Sequence, residues 1–241
     1  NDSYQVLMHR AYLYKEVMDN AFRKHFYKHH NTMQYQNGLR HFSKWLACLI
    51  IHSGNRAVSV SQLRQFFFCE TEKNEIHPAL RRLTAHNDSD FSEVLKDKAW
   101  FKTGEYKIRE TPLVEFYWRV VPQKYNSQNT QVEFSHKSFG EYLFAELVYE
   151  HLLGWGEMAD EDIYYELFFL LGVFQMDSLW PQFLLGLIQG SDQIPSLEKA
   201  AKKLHEFEKK WHQDTFINQF GEQNLPLNQR ALLMNYMNTE N

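Results

Sequence analysis

The sequence predicts a mainly α chain with one small antiparallel β-hairpin and a closing set of helices. Three observations carry that expectation. Glycine and proline are scarce, 10 and 6 in 241 residues, which favours helices with short connections over a many-stranded sandwich or barrel. Apolar residues recur at three- and four-residue spacing through both ends of the chain, the period of a helix with one buried side. Only the middle, between about residues 99 and 134, changes to the two-residue alternation of strands.

Composition bounds the class further. Hydrophobic residues make up 44% and charged residues 23%, a globular mix able to bury a core, and 16% aromatic content argues against disorder. A formal charge of −4 leaves no global positive field to attract nucleic acid. Cys48 and Cys69 stand in apolar helical stretches without a CxxC partner, so free thiols in a reducing, cytoplasmic setting are expected. No signal peptide opens the chain. Its most apolar run, Leu167 to Phe174, is too short to span a bilayer before Asp177. Because the chain opens Asn1-Asp2-Ser3 without an initiator Met, it is expected to be a piece of a longer protein.

From Tyr4 to about His30 the positions Leu7, Ala11, Tyr14, Met18, Ala21 or Phe22 and His25 mark one long amphipathic helix. Asn31 to Gly38 reads as a polar break. Leu39 to Ile51 follows as a helix burying Leu39, Phe42, Leu46, Leu49 and Ile50, stopped by the turn Ser53-Gly54-Asn55. Ser59 or Ser61 caps a third helix through Phe68, and a fourth runs from about Glu75 to His86. Ala99 to Gly104 reads as a short strand. Leu113 to Val121 alternates, the polar loop Lys124 to Thr130 follows, and Gln131 to Phe134 alternates again, which makes a hairpin. Three short helices followed by a small hairpin is the order of a winged helix, placed here at 39–150 after a helical lead-in at 1–38. Beyond the break Gly154-Trp155-Gly156, residues 151–241 read as a helical domain. Its apolar helices lie at about Asp160 to Gln175 and Ser178 to Gln189, and an exposed amphipathic helix starts at Pro195-Ser196. No repeat of 20 to 50 residues is detectable.

The segment FSHKSFGEYLFAELV, Phe134 to Val148, joins the last strand to a helix. Ser138 and Glu141 form an S-x-x-E capping box before an apolar run, and Phe134, Phe139 and Tyr142 are natural core anchors. His136 is explained by neither. Alternation puts it on the side of Val132 and Phe134, close to a helix N-terminus, where a histidine is either satisfied in the core or available to an anion.

This segment resembles the signature that closes the winged-helix domain of NACHT proteins, the STAND NTPases that include NOD-like receptors and many bacterial sensors. Phe134, His136, Ser138, Phe139, Glu141, Tyr142 and Ala145 match it. Arg10, Leu13 and Tyr14 in HRAYLYKEV resemble the helix leading from the NACHT core, and LRHFSKWLACLI resembles the first winged-helix helix. AWFKTG followed by FSHKSFGEYL is similar to bacterial, cyanobacterial-type members. The likeness covers about residues 4 to 150 and is loose beyond. It implies that His136 reaches the β-phosphate of bound ADP and holds a closed, inactive state of the parent protein. The implied partners are the NTPase core of the same parent chain and further copies of the protein on activation, with ADP or ATP and Mg bound in that core. The sequence also departs from the family: no glycine is followed by lysine, so no G-x-x-x-x-G-K-[ST] loop exists, and neither catalysis nor a nucleotide is expected of this chain by itself.

Other constellations carry less. His25, His29 and His30 have near i, i+4 spacing, but no neighbouring Cys, Asp or Glu completes a metal site, and a polar helix face explains them. No H-E-x-x-H or G-x-S-x-G occurs. The alternative class is a winged-helix nucleic-acid binder, with Arg81, Arg82 and His86 on the third helix of the winged-helix domain, the fourth of the chain, and Lys124 in the hairpin loop. Glu75, Asp88, Asp90 and Glu93 dilute that field. Phe168, Phe169, Leu170, Leu171 and Phe174 fit a core better than a protein-binding face.

Overall fold

In the computed structural model, residues 2–29, 33–54, 56–67, 118–121, 131–171 and 179–211 are described. They form seven helices and three strands in the order α1 (Asp2–His29), α2 (Met33–His52), β1 (Ala57–Ser59), α3 (Val60–Phe67), β2 (Trp118–Val121), β3 (Gln131–Phe134), α4 (Lys137–Trp155), α5 (Asp160–Leu171), α6 (Trp180–Gln189) and α7 (Ile194–Trp211). The described chain is thus mainly helical with a small antiparallel sheet. The expected helix at 75–86, the strand at 99–104, residues 113–117, the loop at 124–130 and everything after Trp211 lie outside the described residues.

Two compact units emerge. One joins Asn1–Leu147 with Gln175–Gln189; the other joins Val148–Phe174 with Gly190–Asn241. Within the first unit α6 packs on α1.

In the first unit α1 buries Ala11, Met18, Ala21 and Phe22, four of the positions that helical spacing selects. Its contact with α6 is close enough that a Cβ on Gly186 would meet the Leu7 carbonyl oxygen at 2.6 Å and the Ala11 Cβ at 2.8 Å. α2 departs from expectation in two ways. It begins at Met33, so the break after α1 is only a few residues long. Polar composition does not by itself stop a helix: Met33, Gln34 and Gln36 are good helix formers and no Pro occurs. It is also buried on every side from His41 to Ile50, not along one stripe. The polar side chains this encloses find partners: Ser43 Oγ donates to the Leu39 carbonyl at 2.8 Å, and Trp45 Nε1 donates to His41 Nε2 at 3.2 Å. The helix ends as its sequence demands, with Ser53 N–H donating to the Leu49 carbonyl and Gly54 at φ 70°, a left-handed conformation that only glycine adopts at little cost.

Ser59 is the cap of α3. The Gln62 backbone N–H donates to Ser59 Oγ at 3.1 Å while the Ser59 N–H donates to Gln62 Oε1 at 2.8 Å, a reciprocal S-x-x-Q box. The strand before it was not expected. Ala57–Ser59 pairs antiparallel with β3, Val58 opposite Val132, and β3 pairs on its other side with β2, Trp118 opposite Phe134 and Val120 opposite Val132. The sheet order is β1-β3-β2, with Val58, Val132 and Phe134 buried beneath it. The fully buried side chains Trp45, Leu46, Leu49, Tyr142, Leu143, Phe144, Phe183 and Met18 form the core of this unit.

In the second unit the end of α4, α5 and α7 enclose Trp155, Ile163, Leu170, Ala200 and Phe207. Asp160, Glu161 and Asp162 fill the first turn of α5, where the helix dipole favours negative charge, and Asp160 also pairs with Lys203 Nζ at 2.7 Å. No described helix is long and apolar enough to cross a membrane.

Candidate functional site

The segment from Phe134 to Ala145 is split by burial into a packed part and a free part. Phe134, Glu141, Tyr142 and Ala145 are buried, and Ser138 and Phe139 are half-buried. His136 is exposed. Alternation does not carry it into the core, because β3 ends at Phe134 and the chain bends through Ser135 and His136 before α4 begins. The histidine thus stands at the mouth of the helix with its carbonyl accepting the Phe139 N–H at 3.0 Å, and its imidazole meets the Phe139 ring edge-on at 5.4 Å between centroids.

The expected capping box is replaced by longer-range contacts. α4 starts at Lys137, one residue before Ser138, so Ser138 sits inside the first turn instead of preceding it. Its Oγ accepts a hydrogen bond from the Tyr14 hydroxyl of α1 at 2.8 Å. Glu141 Oε1 accepts the backbone N–H of Leu179 at 3.0 Å, just ahead of α6, and pairs with Lys137 Nζ at 3.4 Å. Both side chains that the sequence assigns to capping α4 therefore tie α4 to other helices.

Tyr14 is the hub of that junction. Its ring lies 5.8 Å from Phe139, 5.8 Å from Tyr142 and 4.8 Å from Phe183 of α6, and Arg10, one turn earlier on α1, places its guanidinium 5.2 Å from the Phe183 ring centre. Leu13 between them is 60% exposed. Two segments that the sequence marks separately, HRAYLYKEV and FSHKSFGEY, thus meet.

A second polar cluster was not legible in the sequence. Arg40 of α2 grips Glu146 of α4 through two N–H donors, at 2.6 and 3.2 Å, and also binds Asp19 of α1. Lys44 Nζ adds a contact to Glu146 at 3.6 Å. Burial by itself opposes the charge on Glu146, but Lys44 and Arg40 outweigh it and hold the carboxyl below its ordinary range. Arg40 is likewise opposed by burial, and Glu146 and Asp19 hold it above its ordinary value. This cluster ties α1, α2 and α4 together. Cys48, buried in α2, is a thiol pushed well up by burial and suited to packing, not to nucleophilic chemistry.

In the second unit Glu166 of α5 is buried and receives the Trp155 indole N–H at 2.6 Å, with His151 Nδ1 at 2.9 Å. That trio is also a structural tie. Among the described residues no group of three or more His, Cys, Asp or Glu is arranged to hold a metal ion. His30, Cys69, Arg81, Arg82, His86 and Lys124 lie outside the described residues, as do the side chains of His25 and His29. Comparison of the chain with protein-family models, with curated proteins and with solved structures finds no match.

Proposed function

We propose that this chain is the winged-helix and following helical part of a NACHT-type STAND signalling NTPase, acting as the arm that holds the nucleotide-dependent closed state and relays its loss to assembly. The observation that carries this reading is the meeting of α1 with the start of α4, which leaves His136 exposed while Ser138, Phe139, Glu141 and Tyr142 are engaged in the fold. An exposed histidine just ahead of the first turn of a long helix is placed to meet an anion, since the turn also presents backbone N–H groups and the positive end of the dipole. The element order supports the winged-helix part: β1 falls between α2 and α3, and the order β1-β3-β2 returns the last strand between the other two. The mechanism is a two-state switch. With ADP in the core of the parent protein, His136 ties the arm down; without that contact the arm is released and an assembly surface is exposed.

The chain by itself has no phosphate-cradling glycine loop, so calorimetry with Mg-ATP should show no micromolar binding, and turnover above background would overturn the assignment. In the parent, a hydrogen bond from His136 to a phosphate should contribute on the order of 1.5–3 kcal/mol, roughly 10- to 150-fold in ADP affinity. His136→Ala should therefore speed release of a fluorescent ADP analogue without lowering the melting temperature of the 241-residue chain. Unchanged release would remove the histidine from the switch.

A further inference from the structure

We infer that Tyr14 is the positioning residue for His136, an inference that deepens the nucleotide-contact reading and rests on it for its functional consequence. Three contacts form a relay. The Tyr14 hydroxyl donates to Ser138 Oγ at 2.8 Å, across 124 residues of sequence. The Tyr14 ring meets the Phe139 ring edge at 5.8 Å, and Phe139 in turn meets the His136 ring edge-on at 5.4 Å. Ser138 and Phe139 are the second and third residues of α4, and His136 is the residue that precedes it. An exposed side chain on a bend has several rotamers open to it, and an edge-on aromatic neighbour on one side narrows that choice. Phe139 itself is only half-buried, so its ring is held by what packs against it. Tyr14 does this with its ring while its hydroxyl fixes the turn that carries both side chains. Tyr14 is in turn fixed from behind by Tyr142 and Phe183, rings that are themselves fully buried. The tilt of α1 is therefore transmitted through Phe139 to the His136 imidazole.

The test uses the full 241-residue chain with labelled histidines, the His136 imidazole signals being assigned by His136→Gln. Tyr14→Phe, which keeps the ring and removes the hydroxyl, should shift those signals while the chain stays folded. Ser138→Ala should shift them in the same direction, the double variant should go no further than either single one, and Ser138→Thr, which restores a hydroxyl, should bring them back. His136 signals that stay in place in Tyr14→Phe and Ser138→Ala overturn the inference. Should Tyr14→Phe fail to fold, Ser138→Ala decides by the same criterion. In the parent protein Tyr14→Phe should speed ADP release roughly threefold to tenfold, the loss of about one ordinary hydrogen bond, and should add nothing to His136→Ala. If His136→Ala leaves ADP release unchanged while Tyr14→Phe still moves the imidazole signals, the nucleotide reading fails and the positioning role stands. If release responds to His136→Ala and the signals ignore Tyr14, the reverse holds.

Discussion

Replacing Glu146 by alanine tests whether the charge cluster between α1, α2 and α4 holds the first unit together. Its side chain is 12% exposed and that of Lys44 5%, so the substitution leaves Lys44 and most of Arg40 buried without the carboxylate that both face. Removing one partner of such a buried pair costs about 3–5 kcal/mol, against about 0–1 kcal/mol for an exposed pair. At about 2–4 °C per kcal/mol for a chain of this size, the melting temperature should fall by about 6–20 °C. The pH dependence has a definite sign. The folded carboxyl is held below its ordinary value, so its contribution is complete above the unfolded pKa of about 4.3 and is lost as pH falls through the lower, folded one. The gap between the natural chain and Glu146→Ala in urea unfolding should thus be full at neutral pH and close on the acid side. A loss under about 1 kcal/mol at neutral pH, or a gap indifferent to acid, would show that the cluster is screened like a surface pair and would refute the reasoning.

Gly186→Ala should destabilise the chain by about 1–3 kcal/mol in urea unfolding, because the new Cβ meets the backbone of α1 at 2.6 Å and a helix backbone cannot step aside as a side chain can. Glu166→Leu should cost about 1–3 kcal/mol by orphaning the buried Trp155 indole N–H, with Glu166→Gln clearly milder because an acceptor remains; equal losses would mean that the hydrogen bond is not what matters. Gel shifts on random duplex should show weak or no binding at low salt. A salt-sensitive shift abolished by replacing Arg81 and Arg82 would favour the nucleic-acid reading instead.

Local rules explain what the sequence made legible. The α1 face, the Ser59 cap and the Gly54 stop are each set by residues within a few positions of one another, and β2 pairs with β3 across a single hairpin loop, where spacing and turn chemistry act. What was missed depends on partners far away in the chain. Ala57–Ser59 is a strand only because β3 lies beside it, and three residues carry too little alternation to announce themselves. Arg40 and Lys44 are not singled out by the sequence because their partner Glu146, 106 residues beyond Arg40, is invisible to a helical wheel. Ser138 and Glu141 satisfy the spacing of a capping box, yet Tyr14 and Leu179 take up their side chains. Local pattern places such residues near a helix start without deciding which of two competing hydrogen bonds forms.

The same competition bears on what the exposed histidine means. Packing dictates residue type where a side chain is enclosed: Phe134, Tyr142 and Ala145 fill fixed volumes, Glu141 must accept an N–H, and Ser138 must accept a hydroxyl. At 136 the fold imposes far less. The position needs a backbone carbonyl for Phe139 and tolerates a side chain that reaches solvent, terms that Asn, Ser or Asp would meet at least as well at a helix start. Histidine is a poorer helix-start residue than any of these, although its ring does meet the edge of Phe139. The proposed nucleotide contact would account for an imidazole there, since a phosphate presented to the first turn of α4 is a partner that an imidazole would meet and a carboxylate would repel.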